Sequence, residues 1–166
     1  MTTVAADALA AEFGCNHFRA ALSQFATGVT IVMTRAPDGA LHGLTVNSFN
    51  SVSLDPPLVL WSLANTARSM PAFSRAAHYI VNVLASHQLE LALRFSRDAG
   101  DRFAALQYAE SAAGLPILPG VAAWFECRAR SRYLEGDHVI FVGQVEHCHV
   151  NPSQPLGFHG GKFIVI

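Results

Sequence analysis

Residues 43–57 are the part of this sequence whose side chains are best suited to binding a ligand. They read Gly-Leu-Thr-Val-Asn-Ser-Phe-Asn-Ser-Val-Ser-Leu-Asp-Pro-Pro, carry no positive charge, and alternate small hydroxyls and amides with apolar residues. A strand of this composition displays main-chain and short polar groups on one side while its other side joins a core. Such a surface suits a flat ring with polar edges. The alternative is an ordinary strand in which Ser and Thr are simply tolerated.

Arg68 and Ser69 directly precede Met70-Pro71, and proline is well tolerated in the first turn of a helix. The unpaired main-chain N–H groups of a helix N-terminus, together with a hydroxyl and a guanidinium, form a site for phosphate. Ser69 can also act as an N-cap residue, and the two roles are compatible.

The sequence gives little support for a metal site or for a nucleic-acid interface. His147 and His149 share one face of a predicted strand, but no third ligand stands at a spacing typical of a zinc site. Cys15, Cys127 and Cys148 are unevenly spaced and predict neither a disulfide framework nor a zinc cluster. The formal net charge of −1 argues against the basic surface that nucleic acid requires.

The length of 166 residues fits one domain, which we place at 15–166 after a flexible N-terminal lead-in at 1–14. The lead-in lacks the basic region of a signal peptide, and no apolar run reaches membrane-spanning length, so a cytoplasmic location is expected. Charged residues make up only 14% of the chain and apolar residues 51%, which indicates a subunit interface. A compact monomer with a polar, uncharged surface is the alternative.

Pattern and turn signals predict the elements that position these residues. Helices are predicted from Asn16 to Gly28, over 70–76, and after a cap at Ser86. Alternation, short apolar runs and hairpin turns predict strands over 29–34, 41–49, 58–63, 78–84, 125–133, 138–150 and 161–166. Residues 97–119 are ambiguous. Many short strands with hairpin turns, and no Gly-x-Gly-x-x-Gly motif, favour an antiparallel barrel over a Rossmann sheet.

The strand over 125–133 has the clearest alternation. One face is predicted to carry Phe125, Cys127, Ala129, Ser131 and Tyr133, and the other Glu126, Arg128, Arg130 and Arg132. The row of arginines is expected to be a solvated face of the sheet, with a docking patch for a partner protein as the alternative.

Seven segments, spread in order over nearly the whole chain, form a recognisable set. They are Phe25–Thr30, Gly43–Pro57, Ala64–Ser69, Val81–Leu84, Arg94–Ser96, Phe125–Cys127 and Gly136–His138. In this order and spacing they resemble the short-chain flavin reductases, the NAD(P)H-dependent partners of two-component flavin monooxygenases. The resemblance implies a mainly β, dimeric fold: an antiparallel split β-barrel of the Greek-key type with a few short peripheral helices. It also implies that flavin binds near the subunit boundary.

The resemblance further implies hydride transfer from NADH or NADPH to FMN or FAD, and supply of reduced flavin to a partner monooxygenase. The cofactors bring the reactivity, and the protein supplies binding and orientation. His138 is the implied catalytic residue, whose ring could hold the nicotinamide carboxamide or stabilise reduced flavin, with Asp137 fixing the ring's orientation. The implied cofactor-binding residues are Thr45, Val46, Asn47, Ser48, Ser62, Leu63, Ala64, Asn65, Arg68, Ser69, Phe95, Ser96, Tyr133 and His138.

Several points stay open at the level of sequence. Arg97 and Arg102 are candidate phosphate contacts, although surface charge is the better interpretation for each. Gly157 and His159 depart from the aliphatic-tyrosine pair usual in the family. The alternative functions are a split-barrel oxidase of the pyridoxamine-phosphate oxidase type and a non-enzymatic flavin- or haem-binding protein. The sequence chooses neither between FMN and FAD nor between NADH and NADPH.

Overall fold

The computed structural model describes residues 14–97 and 100–166, so nearly all of the predicted lead-in at 1–14 lies outside the described residues. The helices are α1 (Cys15–Leu22), α2 (Met70–Arg75) and α3 (Leu89–Ser96). The strands are β1 (Thr27–Gly28), β2 (Thr30–Arg35), β3 (Leu41–Val46), β4 (Asn50–Leu54), β5 (Pro57–Ala64), β6 (His78–Val83), β7 (Ala109–Glu110), β8 (Pro116–Ile117), β9 (Ala123–Glu135), β10 (His138–Val150), β11 (Leu156–His159) and β12 (Lys162–Val165). The predicted mainly β, antiparallel architecture with few helices is confirmed.

The main sheet has seven strands in the order β3-β2-β6-β9-β10-β5-β4. Its two edge strands, β3 and β4, follow each other in the chain and are joined only by residues 47–49. A flat sheet of this size would separate its edges by about 29 Å, at roughly 4.8 Å per strand. The link from Val46 to Asn50 can span at most about 14 Å. The sheet therefore curls back on itself.

The concave side of the curled sheet holds an inner core. Its buried members are Val32, Val46, Val59, Trp61, Leu63, Phe73, Tyr79, Val81, Cys127 and Phe141. The Trp61 ring stacks on Phe141, with ring centroids 4.8 Å apart, and meets the edge of Phe73 at 4.9 Å. Because this cluster joins Val46 of one edge strand to residues of β5 near the other edge, the sheet wraps around it.

The opposite, outer face of the sheet carries a second buried cluster. Ile31 and Met33 of β2 point to this side, where they pack with Ala92 and Phe95 of α3, while Val32 between them points to the inner core. This alternation is the period of two that predicted the strand. The outer face therefore positions α3 beside β3, and the cavities described below open on this side.

The first helix is shorter than predicted. It ends at Leu22 and not at Gly28, and its N-cap is Gly14 and not Asn16. From Thr27 the chain instead pairs with β11, so a short sheet of β1, β11 and β12 replaces the last turns of the predicted helix. Tertiary pairing has overridden local helix propensity at this point.

The boundaries of two other predicted elements also differ from those in the structure. The predicted strand over 41–49 ends at Val46, and the predicted cap Ser86 instead begins a single 3₁₀ turn, Ser86–Gln88, before α3. There the Gln88 side chain holds the turn, because its Oε1 accepts the Ala85 N–H at 2.9 Å. The remaining predicted strands and the helix over 70–76 are confirmed within two residues at each end.

The predicted faces of β9 are wrong beyond Ala129. Val142 of β10 lies opposite Ser131 and Gly143 lies opposite Ala129, so Arg130 is an extra residue in β9. This β-bulge reverses the alternation, because one inserted residue moves every later side chain to the other face. Tyr133 is thereby placed on the outer face, away from the side to which Cys127 points.

The predicted arginine face also changes. Glu126 is almost completely buried, and its Oε2 accepts the Ala113 N–H at 2.9 Å. Arg128 pairs with Glu146 at 3.1 Å, and Arg132 Nη2 donates to Ala76 O at 3.3 Å. Arg128 is thus tied to β10 and Arg132 to the end of α2, so the three arginines do not form a uniform solvated row.

Cys127 is buried in the inner core, whereas Cys15 and Cys148 are exposed. Burial raises the pKa of the Cys127 thiol to about 12, because desolvation disfavours the thiolate. Since the thiolate is the reactive form, we expect iodoacetamide at neutral pH to alkylate Cys15 and Cys148 but spare Cys127. Mass spectrometry of the native protein checks this, with the urea-unfolded protein as the control in which all three react. Rapid alkylation of Cys127 in the native state would contradict it.

Within residues 14–97 and 100–166, no helix has both the length and the apolar character needed to cross a membrane.

Candidate functional site

A first cavity of about 180 Å³ lies on the outer face, at the end of β3. Its apolar walls are Phe158, Phe163 and Val29, and Thr45, Asn47 and Ser96 line it with polar groups; Val46 completes the lining. The Thr45 hydroxyl donates to Ala92 O at 2.7 Å, which fixes α3 beside the strand. Apolar walls with a few placed polar groups are the usual composition of a small-molecule site. The cavity suits the polar-edged flat ring expected for residues 43–57.

A second cavity of about 240 Å³ continues from the first, because Thr45 and Ser96 line both. Its lining is cationic and hydroxylic: the guanidinium groups of Arg68 and Arg102 and the hydroxyls of Thr66 and Ser69 are included. Charged donors of this kind bind phosphate, and arginine does so with two parallel hydrogen bonds. We call the two cavities together the groove: a ring-sized pocket followed by an anion-binding end.

Arg102 lines the second cavity, whereas the sequence favours a surface charge at this position. It follows α3 and folds back across β3, where its Nη1 donates to Gly43 O at 3.0 Å. No spacing in the sequence signals this position, because it depends on how α3 packs against the sheet. Arg97, the other candidate phosphate contact, is exposed and lines neither cavity of the groove.

Ser69 lies at the predicted start of α2, but the helix has only six residues. Its own hydroxyl makes no capping hydrogen bond, and its backbone is already helical. A helix macrodipole needs several aligned turns. A helix of six residues therefore adds little to anion binding. Any attraction for phosphate in this cavity would therefore come from Arg68 and Arg102, not from the helix N-terminus that the sequence suggested.

Two hydrogen bonds between Ser48 and Ser62 fasten the 47–49 link to β5. Ser48 Oγ accepts the Ser62 N–H at 2.9 Å, and its hydroxyl donates to Ser62 O at 3.2 Å. Because Ser48 uses its hydroxyl in this way, it holds the 47–49 link against β5 and so supports the wall formed by Asn47.

Two predicted cofactor-binding side chains face apolar surroundings. Leu63 is 2% exposed and belongs to the inner core, so its side chain points away from the outer face. Phe95 is 1% exposed and packs edge-on against Phe103 at 5.3 Å, although it forms part of the wall of the second cavity. Leu63 is thus a core residue by its side chain, and Phe95 offers an apolar wall.

His138 begins β10 directly opposite Ala64, the last residue of β5. Its Nδ1 lies 2.7 Å from Asp137 Oδ1, and this hydrogen bond lowers the pKa of the Asp137 carboxyl. Asn65 secures the same turn, because its main-chain N–H donates to Asp137 O at 2.9 Å and its Nδ2 donates to Gly136 O at 3.3 Å. The loop after Asn65 continues into the second cavity, so the turn that carries His138 is fastened to the groove.

Tyr133 lies opposite Ile140, which in turn lies opposite Ser62. The side chains of Tyr133 and Ser62 therefore share the outer face at a distance of about 10 Å, two strand spacings. Contact of Tyr133 with a cofactor stays a prediction.

Among the described residues, no three or more His, Cys, Asp and Glu side chains lie close enough together to hold a metal ion.

Residues 22–166 match the family described as flavin reductase like domain. The chain belongs to this family. It is 47% identical over 146 residues to the FMN reductase (NADH) SmoA of Agrobacterium fabrum, covering 88% of this chain and 83% of that protein. It is 41% identical over 147 residues to the reductase component of the flavin-dependent trigonelline monooxygenase of Acinetobacter baylyi, covering 89% of this chain but only 47% of that longer protein.

A solved structure of the family has the same fold. The NADH:FAD oxidoreductase SgcE6 of Streptomyces globisporus C-1027, in complex with NAD and FAD fragments, superposes with a TM-score of 0.86 at 32% identity, covering 93% of this chain and 96% of that one. The predicted resemblance to the flavin reductases is thereby confirmed.

Proposed function

We propose that this protein is an NAD(P)H:flavin oxidoreductase that reduces FMN or FAD and passes the reduced flavin to a separate monooxygenase. Relatives at 47% and 41% identity are named as an NADH-dependent FMN reductase and as the reductase component of a monooxygenase. These names confirm the predicted class of activity and the predicted use of flavin and NADH.

The continuous groove is the observation that carries this proposal at the level of residues. The groups of the ring-sized pocket, Thr45, Asn47 and Ser96, can meet the N–H and C=O edge of an isoalloxazine, since an amide both donates and accepts. Arg68 and Arg102 at the other end can hold its phosphate. A bound flavin supplies the hydride acceptor, so the chain itself has to bind, orient and exclude water.

His138 is proposed to orient the nicotinamide. Asp137 occupies its Nδ1, which leaves Nε2 to face a substrate and fixes the ring's orientation. The residue is half-buried beside the end of β5, where a second ring could approach the groove. A placed donor or acceptor of this kind acts by holding the reacting rings in register.

We expect His138→Ala to lower the rate of flavin reduction by roughly tenfold to a hundredfold while leaving flavin affinity nearly unchanged. The reason is that the ring would contact nicotinamide and not the phosphate or the edge of the flavin. The measurement is anaerobic stopped-flow reduction by NADH, paired with calorimetric titration of flavin. Asp137→Asn is the matched control, which keeps a side chain of the same shape and should lose less rate. An unchanged rate in His138→Ala, or a loss confined to flavin affinity, would rule out this role.

The activity itself is tested by mixing the purified protein with NADH and either FMN or FAD. Flavin-stimulated loss of NADH absorbance is expected with at least one of the two flavins. Tight flavin binding with no response to NADH would instead favour an oxidase of the pyridoxamine-phosphate oxidase type or a carrier protein.

Assembly is part of the same proposal. Exposed apolar side chains on α1 and at the end of the chain, including Phe18, Leu22, Val165 and Ile166, support a homodimer in which a second copy covers these residues. The curled seven-stranded sheet supports the split barrel expected for the family. A cytoplasmic location stays a prediction of the sequence.

A further inference from the structure

The 101–106 segment, which follows α3, brings Arg102 to the anion-binding end of the groove. Arg102 Nη1 donates to Gly43 O at 3.0 Å, so the segment touches β3 at this residue. Gly43 permits this close approach, because a β-carbon there would lie 2.9 Å from Met33 Cγ and 3.3 Å from Phe103 Cζ. The position of the Arg102 guanidinium therefore depends on how the segment itself is held.

The backbone of the 101–106 segment adopts a conformation that its own residues do not favour. Ala105 has a φ of 54°, in the left-handed region that a residue with a side chain rarely adopts. A conformation of this kind persists only where the surrounding structure imposes it. The contacts of the residues next to Ala105 therefore decide where Arg102 lies.

Most of these contacts are made within the segment or are apolar. Asp101 Oδ1 accepts the Phe103 N–H at 2.9 Å and the Ala104 N–H at 3.1 Å. The Leu106 N–H donates to Phe103 O at 3.0 Å. The Phe103 ring packs edge-on against Phe95 of α3, with ring centroids 5.3 Å apart. These contacts give the segment its shape, and the aromatic pair lays it against the helix.

Arg94 of α3 adds a charged link between the helix and the segment. Its Nη2 donates to Ala104 O, directly before Ala105. A hydrogen bond from a guanidinium is stronger than one between neutral groups, and it fixes the carbonyl two residues after Arg102. Arg94 itself lines neither cavity of the groove. An effect of Arg94 on a ligand would therefore pass through the segment.

We propose that Arg94 is a positioning residue, which holds the 101–106 segment so that the Arg102 guanidinium stands ready at the anion-binding end of the groove. This inference rests on the proposed function, because it concerns the flavin phosphate that Arg102 is proposed to bind. A group that is already in place loses less conformational entropy when its ligand arrives. Arg94 therefore raises the affinity for a flavin that carries a phosphate, and not the affinity for riboflavin.

The test is a double-mutant cycle on the full chain, with calorimetric titration of FMN and of riboflavin. Arg94→Met keeps an apolar stem and removes the donor, so we expect FMN to bind roughly fivefold to tenfold more weakly and riboflavin to bind as before. In the Arg102→Gln background the same change should alter FMN affinity by less than about twofold, because no guanidinium is left to position. Arg94→Lys retains a donor and should lose less FMN affinity than Arg94→Met.

Arg97→Gln is the matched control for loss of charge, since Arg97 is exposed, lies close to Arg94 in the chain and lines neither cavity of the groove. It should leave FMN affinity unchanged. An equal loss of riboflavin affinity in Arg94→Met and Arg94→Lys would indicate a general packing role and overturn the inference. An undiminished effect of Arg94→Met in the Arg102→Gln background would overturn it as well. Failure of the natural protein to bind any flavin would instead refute the proposed function itself.

Discussion

A Gly143→Ala variant is expected to lose a large part of its folding stability. A β-carbon on Gly143 would lie 2.1 Å from Tyr79 Oη, 2.7 Å from Tyr79 Cζ and 2.9 Å from Cys127 Cβ. Both neighbours are buried in the inner core, with Tyr79 1% exposed and Cys127 0%, so neither can swing aside. Overpacking of a core costs about 1–3 kcal/mol and more where the backbone must shift. We expect a loss of about 3 kcal/mol, measured as a lower midpoint of urea unfolding.

Gly28→Ala is the matched control for this prediction. A β-carbon there has no heavy atom within 4 Å, and the backbone is not in the left-handed region, so stability should change little. Tyr79→Phe combined with Gly143→Ala removes the nearest clashing atom and should recover part of the loss. If Gly143→Ala unfolded at the same urea concentration as the natural protein, the packing described for the inner core would be wrong.

Simultaneous replacement of Arg68 and Arg102 by glutamine is expected to weaken FMN binding by about a hundredfold. Each guanidinium lines the second cavity, and losing one charge-assisted phosphate contact lowers affinity by roughly tenfold. The measurement is calorimetric titration with FMN and, in parallel, with riboflavin, which has no phosphate. Riboflavin affinity should stay nearly constant. Its ring would lie in the first cavity, and its ribityl chain would meet the hydroxyls of Thr66 and Ser69 and not the two arginines.

Arg97→Gln is the control for nonspecific charge, since Arg97 is exposed and lines neither cavity of the groove. Arg102 also donates to Gly43 O, so its replacement could loosen β3. The single variant Arg68→Gln avoids that effect and should still weaken FMN roughly tenfold. An equal loss of riboflavin affinity in Arg68→Gln would show that the second cavity does not bind phosphate.

Local signals in the sequence were sufficient to predict most of the strands and to recognise the family. The alternation of β2 depends on neighbouring residues only, and the strand is found within one residue of its predicted position. The hairpin turns at Gly39 and Gly136 use glycine in positive φ, 88° and 60°. The family motifs then singled out Thr45, Asn47, Arg68 and Ser69, which the fold places along one groove.

What the sequence did not reveal depends on contacts between distant segments. The end of α1 is decided by pairing of Thr27 with Phe158, far along the chain. The face of Tyr133 is decided by the bulge at Arg130, which no residue type announces. The position of Arg102 follows from packing of α3 on the sheet. These features become visible only once the tertiary structure is known.

The strict alternation of β5 limits how this protein can change over evolution. Trp61 and Leu63 enter the inner core, while Ser62 between them faces outward and bonds to Ser48. Removing or adding a single residue within the strand would exchange these roles, turning the indole toward solvent and a hydroxyl into the hydrocarbon interior. Point replacements on the outward positions of β5 are compatible with the fold, whereas a change of length within β5 is not. Descendants of this sequence can therefore acquire new ligand preferences by exchanging outward side chains or by lengthening loops, but not by sliding β5.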